Sequence, residues 1–160
     1  MDYDHTQTSP LFLLLAAIGS GCFIGGMQID PSVAPISLFI LGAFFFLLAL
    51  SFRQLTCRDE GDHLRIRFGP IPLFRRKLVY SRLEKVKQSR SRLLDGWGIH
   101  LCTRGGWVWN LWGFDCVDID FTGGKKLRLG TDDPDGLAAF LNSRAPESSA
   151  GKTDSTPTPL

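Results

Sequence analysis

The sequence predicts a membrane α-hairpin joined to a mainly-β domain that one C-terminal helix closes. Three observations carry this. Leu11 to Ile29 is 19 residues without a charge, and Val33 to Phe52 is 20 more, 13 of them Leu, Ile, Phe or Val. At ~1.5 Å per helical residue, each stretch is about as long as a bilayer core is thick. After Arg53 the apolar residues change to alternation with period two, broken by glycine and proline, which is the pattern of short strands. Asp133-Pro134-Asp135 then opens a segment with Leu137, Phe140 and Leu141 on one helical face, an N-cap followed by proline in the first turn. The chain divides into a short N-terminal tail (1–10), a transmembrane hairpin (11–52), a folded domain (53–144) and a disordered tail (145–160) of Ser, Thr, Pro and Gly.

In the hairpin, Asp30-Pro31-Ser32 is too short a link for anything but antiparallel neighbours. Pro31 stops the first helix, Ser32 is a fitting N-cap, and Pro35 falls in the first turn of the second helix. Both chain ends then lie on one side. Gly21 and Gly25 have the small-xxx-small spacing that lets helices approach. This predicts packing against the chain's own second helix at Gly42, with dimerisation as the alternative. No Asp, Glu, Lys, Arg or His lies within either span, so the usual mark of an ion or proton pathway is missing. The flank before the first span has Asp2 and Asp4 and no Lys or Arg, which argues against a cleaved signal peptide.

In the β region, Leu64, Ile66 and Phe68 alternate with Arg65 and Arg67, a half-buried strand. Arg76 to Tyr80 is the next candidate and Leu83 to Gln88 a weaker one. A hairpin from Gly98 to Leu111 turns at Arg104-Gly105-Gly106, with Ile99, Leu101 and Thr103 on the face of Trp107, Trp109 and Leu111; Asp95-Gly96 marks a turn before it. For the hairpin near residue 123, a three-residue loop Thr122-Gly123-Gly124 pairs Ile119 with Leu127 and Val117 with Leu129. It also sets Asp120 opposite Lys126 and Asp118 opposite Arg128. A two-residue loop would mismatch the faces.

The net charge of +2 conceals an asymmetry: Arg53 to Arg104 holds 13 Lys and Arg against 5 Asp and Glu. This basic block directly follows the second span, which places it, both termini and the folded domain on the cytoplasmic side of an inner membrane. Cys22, Cys57, Cys102 and Cys116 have neither a C-x-x-C spacing nor a histidine pair, so no zinc, redox or other cofactor chemistry is predicted. His5, His63 and His100 lack a nucleophile and an orienting carboxylate in pattern, and Asp132, Asp133 and Asp135 suit a helix N-terminus better than a calcium loop. No catalytic residue and no metal site is expected.

Gly96-Trp97-Gly98-Ile99, the Gly105-Gly106 turn, Asn110 to Gly113, Val117-Asp118-Ile119 and the run Leu129 to Leu137 join six or seven short strands to one closing helix. In this the chain resembles bacterial membrane-anchored proteins that carry a pleckstrin-homology-like (PH-like) domain after two transmembrane helices. The resemblance implies an antiparallel β-barrel or sandwich capped by the C-terminal helix. It also implies a binding or scaffolding module at the membrane surface, not an enzyme.

Arg75, Arg76, Lys77, Lys85 and Lys87, with Arg90 and Arg92, are candidates for contact with anionic lipid, each cation near such a surface contributing ~1 kcal/mol. Arg58 followed by Arg65-Ile66-Arg67 resembles the head-group-binding arrangement of PH domains, although Asp59, Glu60 and Asp62 in the connecting loop oppose a phosphate. Alternating arginine also suits a plain solvated face. The four tryptophans between Trp97 and Trp112 are expected in the core and hairpin edge of a small barrel, with an interface anchor or a partner hot spot as alternatives. The functional expectation is a membrane-anchored module that binds a protein partner or its own copy. The alternatives are a sensor of anionic lipid and an accessory subunit of a larger membrane complex. Nucleic acid is not an expected partner, because no recognition helix accompanies the basic block.

Overall fold

The computed structural model describes residues 2–30, 36–71, 73–91, 97–102 and 105–146. The charge-free stretches form helices α1 (Leu11–Gln28) and α2 (Ile36–Ser51). Of the described residues, α1 alone makes a helix long and apolar enough to cross a membrane, and α2 is a shorter apolar helix. The two are antiparallel: Gly19 meets Gly42 and Phe46, whereas Gly26, further along α1, meets Phe39 and Leu38. The Phe23 ring packs between Phe39 and Phe46 at 5.7 and 5.8 Å. The inter-helix link at Pro31-Ser32, Pro35, Arg92, the Asp95-Gly96 turn, Thr103-Arg104 and the tail from Glu147 onward lie outside the described residues.

The feet of the hairpin run directly into a β-ladder. The Ser9 N–H donates to the Arg53 carbonyl at 3.1 Å, and the strands on either side pair from there outward. Residues 4–8, expected to be a tail, form strand β1 (Asp4–Thr8), antiparallel to β2 (Gln54–Asp59) with Thr8 opposite Gln54 and Asp4 opposite Arg58. β3 (His63–Phe68) and β4 (Arg75–Val79) complete a four-stranded sheet in the order β1-β2-β3-β4.

The second sheet has five strands in the order β5-β8-β9-β7-β6: β5 (Leu83–Arg90), β6 (Gly98–Leu101), β7 (Trp107–Asn110), β8 (Asp115–Phe121) and β9 (Lys126–Gly130). The β8–β9 hairpin has the register its alternation predicts, Ile119 opposite Leu127 and Asp118 opposite Arg128. Its loop glycines, Gly123 and Gly124, take φ of +87° and +77°, a region costly for other residues. β9 lies between β7 and β8 and is parallel to β7, Trp109 opposite Leu129. The chain leaves β7 and returns as β8 two strand spacings away, and the hairpin folds β9 back into the slot between them. The expectation of an antiparallel barrel or sandwich of six or seven strands holds for the mainly-β character and is corrected in strand number, strand direction and closure. Among the described residues there are nine strands in two sheets, one of them mixed, and no closed barrel.

The sheets share one core. Leu55, Leu64, Ile66, Phe68 and Leu78 from the first meet Trp109, Val117, Ile119, Leu127 and Leu129 from the second. α3 (Pro134–Arg144) docks Leu137, Ala138, Phe140 and Leu141 on the same core. It begins as predicted, with the Asp133 carboxylate accepting from the Gly136 N–H at 3.0 Å. β1 reaches this end too: Tyr3 stacks on Phe140 with centroids 5.2 Å apart, and its hydroxyl donates to Asp133 at 3.2 Å.

Candidate functional site

Strand alternation turns every second residue of the first sheet outward. Register then sets Arg58 opposite Arg65 and Arg65 opposite Lys77, with Thr56, Arg67 and Arg75 forming the parallel row nearer the helices. Two groups that the sequence holds apart, Arg58-Arg65-Arg67 and Arg75-Lys77, thus become one basic face. Asp4 lies 3.4 Å from Arg58, and Glu60 lies 2.8 Å from Arg65. Among the described residues Arg67, Arg75 and Lys77 make no ion pair, and they line one cleft with Arg65.

Of the loop acids expected to oppose an anion, Asp59 is engaged elsewhere, while Glu60 stays on the face beside Arg65. Asp59 turns inward, its side chain 3% exposed, and accepts from Tyr80 at 2.7 Å, the Gly61 N–H at 2.9 Å and Arg144 at 2.7 Å. Burial disfavours its charge, but the Tyr80 and Gly61 hydrogen bonds and the Arg144 guanidinium outweigh that and hold its carboxyl below the usual range. Glu60 is shared between Arg65 and His63, while Asp62 sits 2.6 Å from His63, whose hydrogen bond lowers its pKa.

Three of the sequence candidates fall outside the face. Arg76, between Arg75 and Lys77, points to the other side of β4, with its guanidinium 5.7 Å over the Trp109 ring. Burial there lowers its pKa. Lys85 and Lys87 belong to the second sheet, opposite Asp120 and Asp118, and Arg128 is fixed on Asp118 at 2.6 and 3.0 Å. That face mixes both signs. Of the expected packing glycines, Gly42 lies in the α1–α2 interface with Gly19 and Gly26, Gly25 lies at its edge and Gly21 off it: a Cβ on Gly42 would lie 2.7 Å from Phe23, one on Gly25 3.9 Å from Leu38, and one on Gly21 would meet nothing within 4 Å.

Of the four tryptophans only Trp109 is buried; Trp97, Trp107 and Trp112 are exposed. Trp97 stacks on Trp112 at 4.2 Å, and Trp107 pairs across the edge strand β6 with the exposed Leu101. Cys57 is buried in the core, which pushes its thiol up to about 12, and burial also raises Cys116. Neither has the depressed pKa of a reactive cysteine. Among the described residues no group of three His, Cys, Asp or Glu is placed to hold a metal.

No protein-family model matches this chain, and neither does a curated protein or a solved structure.

The union of the two basic groups has only a weak signal in the sequence. Arg75 and Lys77 share a parity that Arg76 breaks, but which parity faces out depends on the register across the turn at Gly69 to Phe74. That register is set by the Phe68 N–H donating to the Phe74 carbonyl at 3.0 Å.

Proposed function

We propose that this protein is a membrane-anchored, non-enzymatic interaction module whose basic sheet face binds the anionic surface of its own membrane. On this reading α1 and α2 both span the cytoplasmic membrane, and the termini and the β domain lie on the cytoplasmic side. The β domain is PH-like in layout, two sheets on one core with a closing C-terminal helix. Support for the anchor comes from burial: only Gly19 and Gly26 of α1 and Gly42, Ala49 and Ser51 of α2 are buried, while Leu13, Leu14, Ile18, Ile40, Phe44 and Leu47 are exposed. A soluble protein rarely leaves such a surface uncovered, and a core helix would bury it.

The observation that carries the binding reading is the basic face itself. Arg67, Arg75 and Lys77 stand free of ion pairs among the described residues, on the sheet whose strands β1 and β2 leave the ends of the apolar hairpin. Tethering already keeps the domain at the bilayer, so these charges orient it rather than recruit it. The test is binding of short-chain phosphatidylglycerol or phosphatidylcholine to the detergent-solubilised full chain at rising salt. The anionic lipid should bind, salt should weaken it, because exposed charges are screened over ~8–10 Å at physiological ionic strength, and replacing Arg67, Arg75 and Lys77 with Ser should abolish it. Equal binding of both lipids, or a triple variant that binds like the parent, overturns the reading. Strong preference for one phosphorylated head group would make the module a lipid sensor.

A second reading, a protein partner or a second copy docking at β6, is favoured by one observation. Leu101 and Trp107 at one end of the edge strand and Trp97 with Trp112 at the other are exposed, the setting for strand addition and for aromatic hot spots.

A further inference from the structure

We propose that the turn between β3 and β4 enters the membrane interface and forms a second, non-spanning attachment beside the helix hairpin, its apolar tip among the upper acyl chains and Arg67 and Arg75 at the level of the phosphates. The inference rests on the reading that α1 and α2 lie in a bilayer.

The base of the turn is bolted to the point where α2 ends. Gly69, at φ +65°, passes so close to Leu50 and Ser51 that a Cβ there would overlap their backbone, and its N–H donates to the Gln54 carbonyl at 2.6 Å. Phe52, the first residue after α2, packs on Phe68 and Phe74 at 5.4 and 5.9 Å. These two rings flank the turn and touch each other at 6.5 Å. Held this way, the tip stays near the level at which α2 leaves the lipid.

The chemistry of the tip suits that level. No charged residue occurs between Arg67 and Arg75, and Ile71 and Leu73 are 39% and 46% exposed. Apart from the tryptophans and Leu101 at the other sheet's edge, they are the large apolar side chains the β domain leaves exposed among the described residues. The turn also lowers the cost of burying its backbone: the Leu73 N–H donates to the Ile71 carbonyl at 2.8 Å, and Pro70 has no N–H. Arginines then ring the base, Arg67 opposite Arg75 across the strands, and Arg53 at the foot of the hairpin, 5.8 Å over the Phe12 ring. Apolar side chains below a collar of cations is how a surface element lies in an interface. Leu47 and Leu50, in the last turn and a half of α2, are exposed as well.

The experiment uses the full chain in phosphatidylcholine/phosphatidylglycerol nanodiscs. A spin label is placed by a non-natural amino acid at position 73, 123 or 44 in turn, since Cys22 and Cys102 would compete for a thiol reagent. Relaxation by oxygen reports lipid, and relaxation by a neutral nickel chelate reports water. A label at 73 should favour oxygen several-fold over a label at 123, in the distant β8–β9 loop, and approach the label at 44 on the exposed face of α2. A label at 73 that matches 123 while 44 remains in lipid overturns the inference alone. A label at 44 accessible to the chelate overturns the anchoring reading and this inference with it.

Discussion

The contact between Tyr3 and Phe140 is the sharpest test of how the chain closes, because it joins a residue before the hairpin to the last helix. Phe140 is 8% exposed and lies between Tyr3, 5.2 Å away, and Tyr80, 6.0 Å away. Truncating a buried phenylalanine costs about 3–5 kcal/mol, a large part of a domain stability of about 5–15 kcal/mol. Because Phe140 is not fully sealed, Phe140→Ala should fall near the lower bound. Tyr3→Ala removes a stacked ring pair, ~0.5–1.5 kcal/mol beyond area burial, and a hydroxyl bond to Asp133 of ~1 kcal/mol, together about 2 kcal/mol. The double variant should lose less than the sum by the coupling of the rings, ~0.5–1.5 kcal/mol. The measurement is urea unfolding of the β domain in the detergent-solubilised full chain, followed by the fluorescence of the buried Trp109 against the three exposed tryptophans. Strict additivity of the two substitutions, or an unchanged midpoint for Phe140→Ala, refutes the closure of the chain through this contact.

The packing makes two further outcomes testable. Gly42→Leu should push the helices apart, since even a Cβ there meets Phe23 and the Gly19 carbonyl at 2.7 and 3.0 Å, whereas Gly21→Ala meets nothing within 4 Å and should leave them in place; a lengthened distance between spin labels at positions 14 and 47 reports the separation, and an unchanged one for Gly42→Leu sinks the claim. Asp59 contributes stability that is present in full above its unfolded pKa of about 3.9 and is lost as pH falls through its lower folded value, because its ionised form is the one that accepts from Tyr80, Gly61 and Arg144. Asp59→Asn should therefore cost ~1–3 kcal/mol near neutrality and flatten the acid limb of Tm against pH; a parallel acid limb in the variant contradicts the assignment.

The hairpin of β8 and β9 shows how far local pattern reaches. Val117, Ile119 and Phe121 on one strand and Leu127 and Leu129 on the other admit one register that buries both sets, and Gly123-Gly124 supplies the turn. The start of α3 is equally local, because Asp133, Pro134 and Gly136 cap the helix within a few residues. β1 is the opposite case. Asp4-His5-Thr6-Gln7-Thr8 has no apolar alternation, and it is a strand only because the hairpin brings it beside β2 and Gln7, 4% exposed, finds the Gly130 carbonyl at 3.1 Å. The burial of the tryptophans depends on the same long-range pairing. All four are apolar in type, and burial is decided by which strand neighbours them: Trp109 faces Phe68 across the core at 5.7 Å, while Trp107, two residues earlier on the same strand, is exposed.

The two apolar helices, the β character of the domain after Arg53, the β8–β9 register and the capped last helix were all legible in the amino-acid order. Each of these depends on periodicity, turn chemistry or capping within a short span of chain. Only the folded chain settles that residues 4–8 join the first sheet, that β9 enters parallel to β7, and that Arg58, Arg65, Arg67, Arg75 and Lys77 share a face while Arg76 does not. Those outcomes depend on pairings between segments far apart in the chain. Which distant strand a segment meets is set by loop closure and by the shared core, and neither leaves a local mark on the residues.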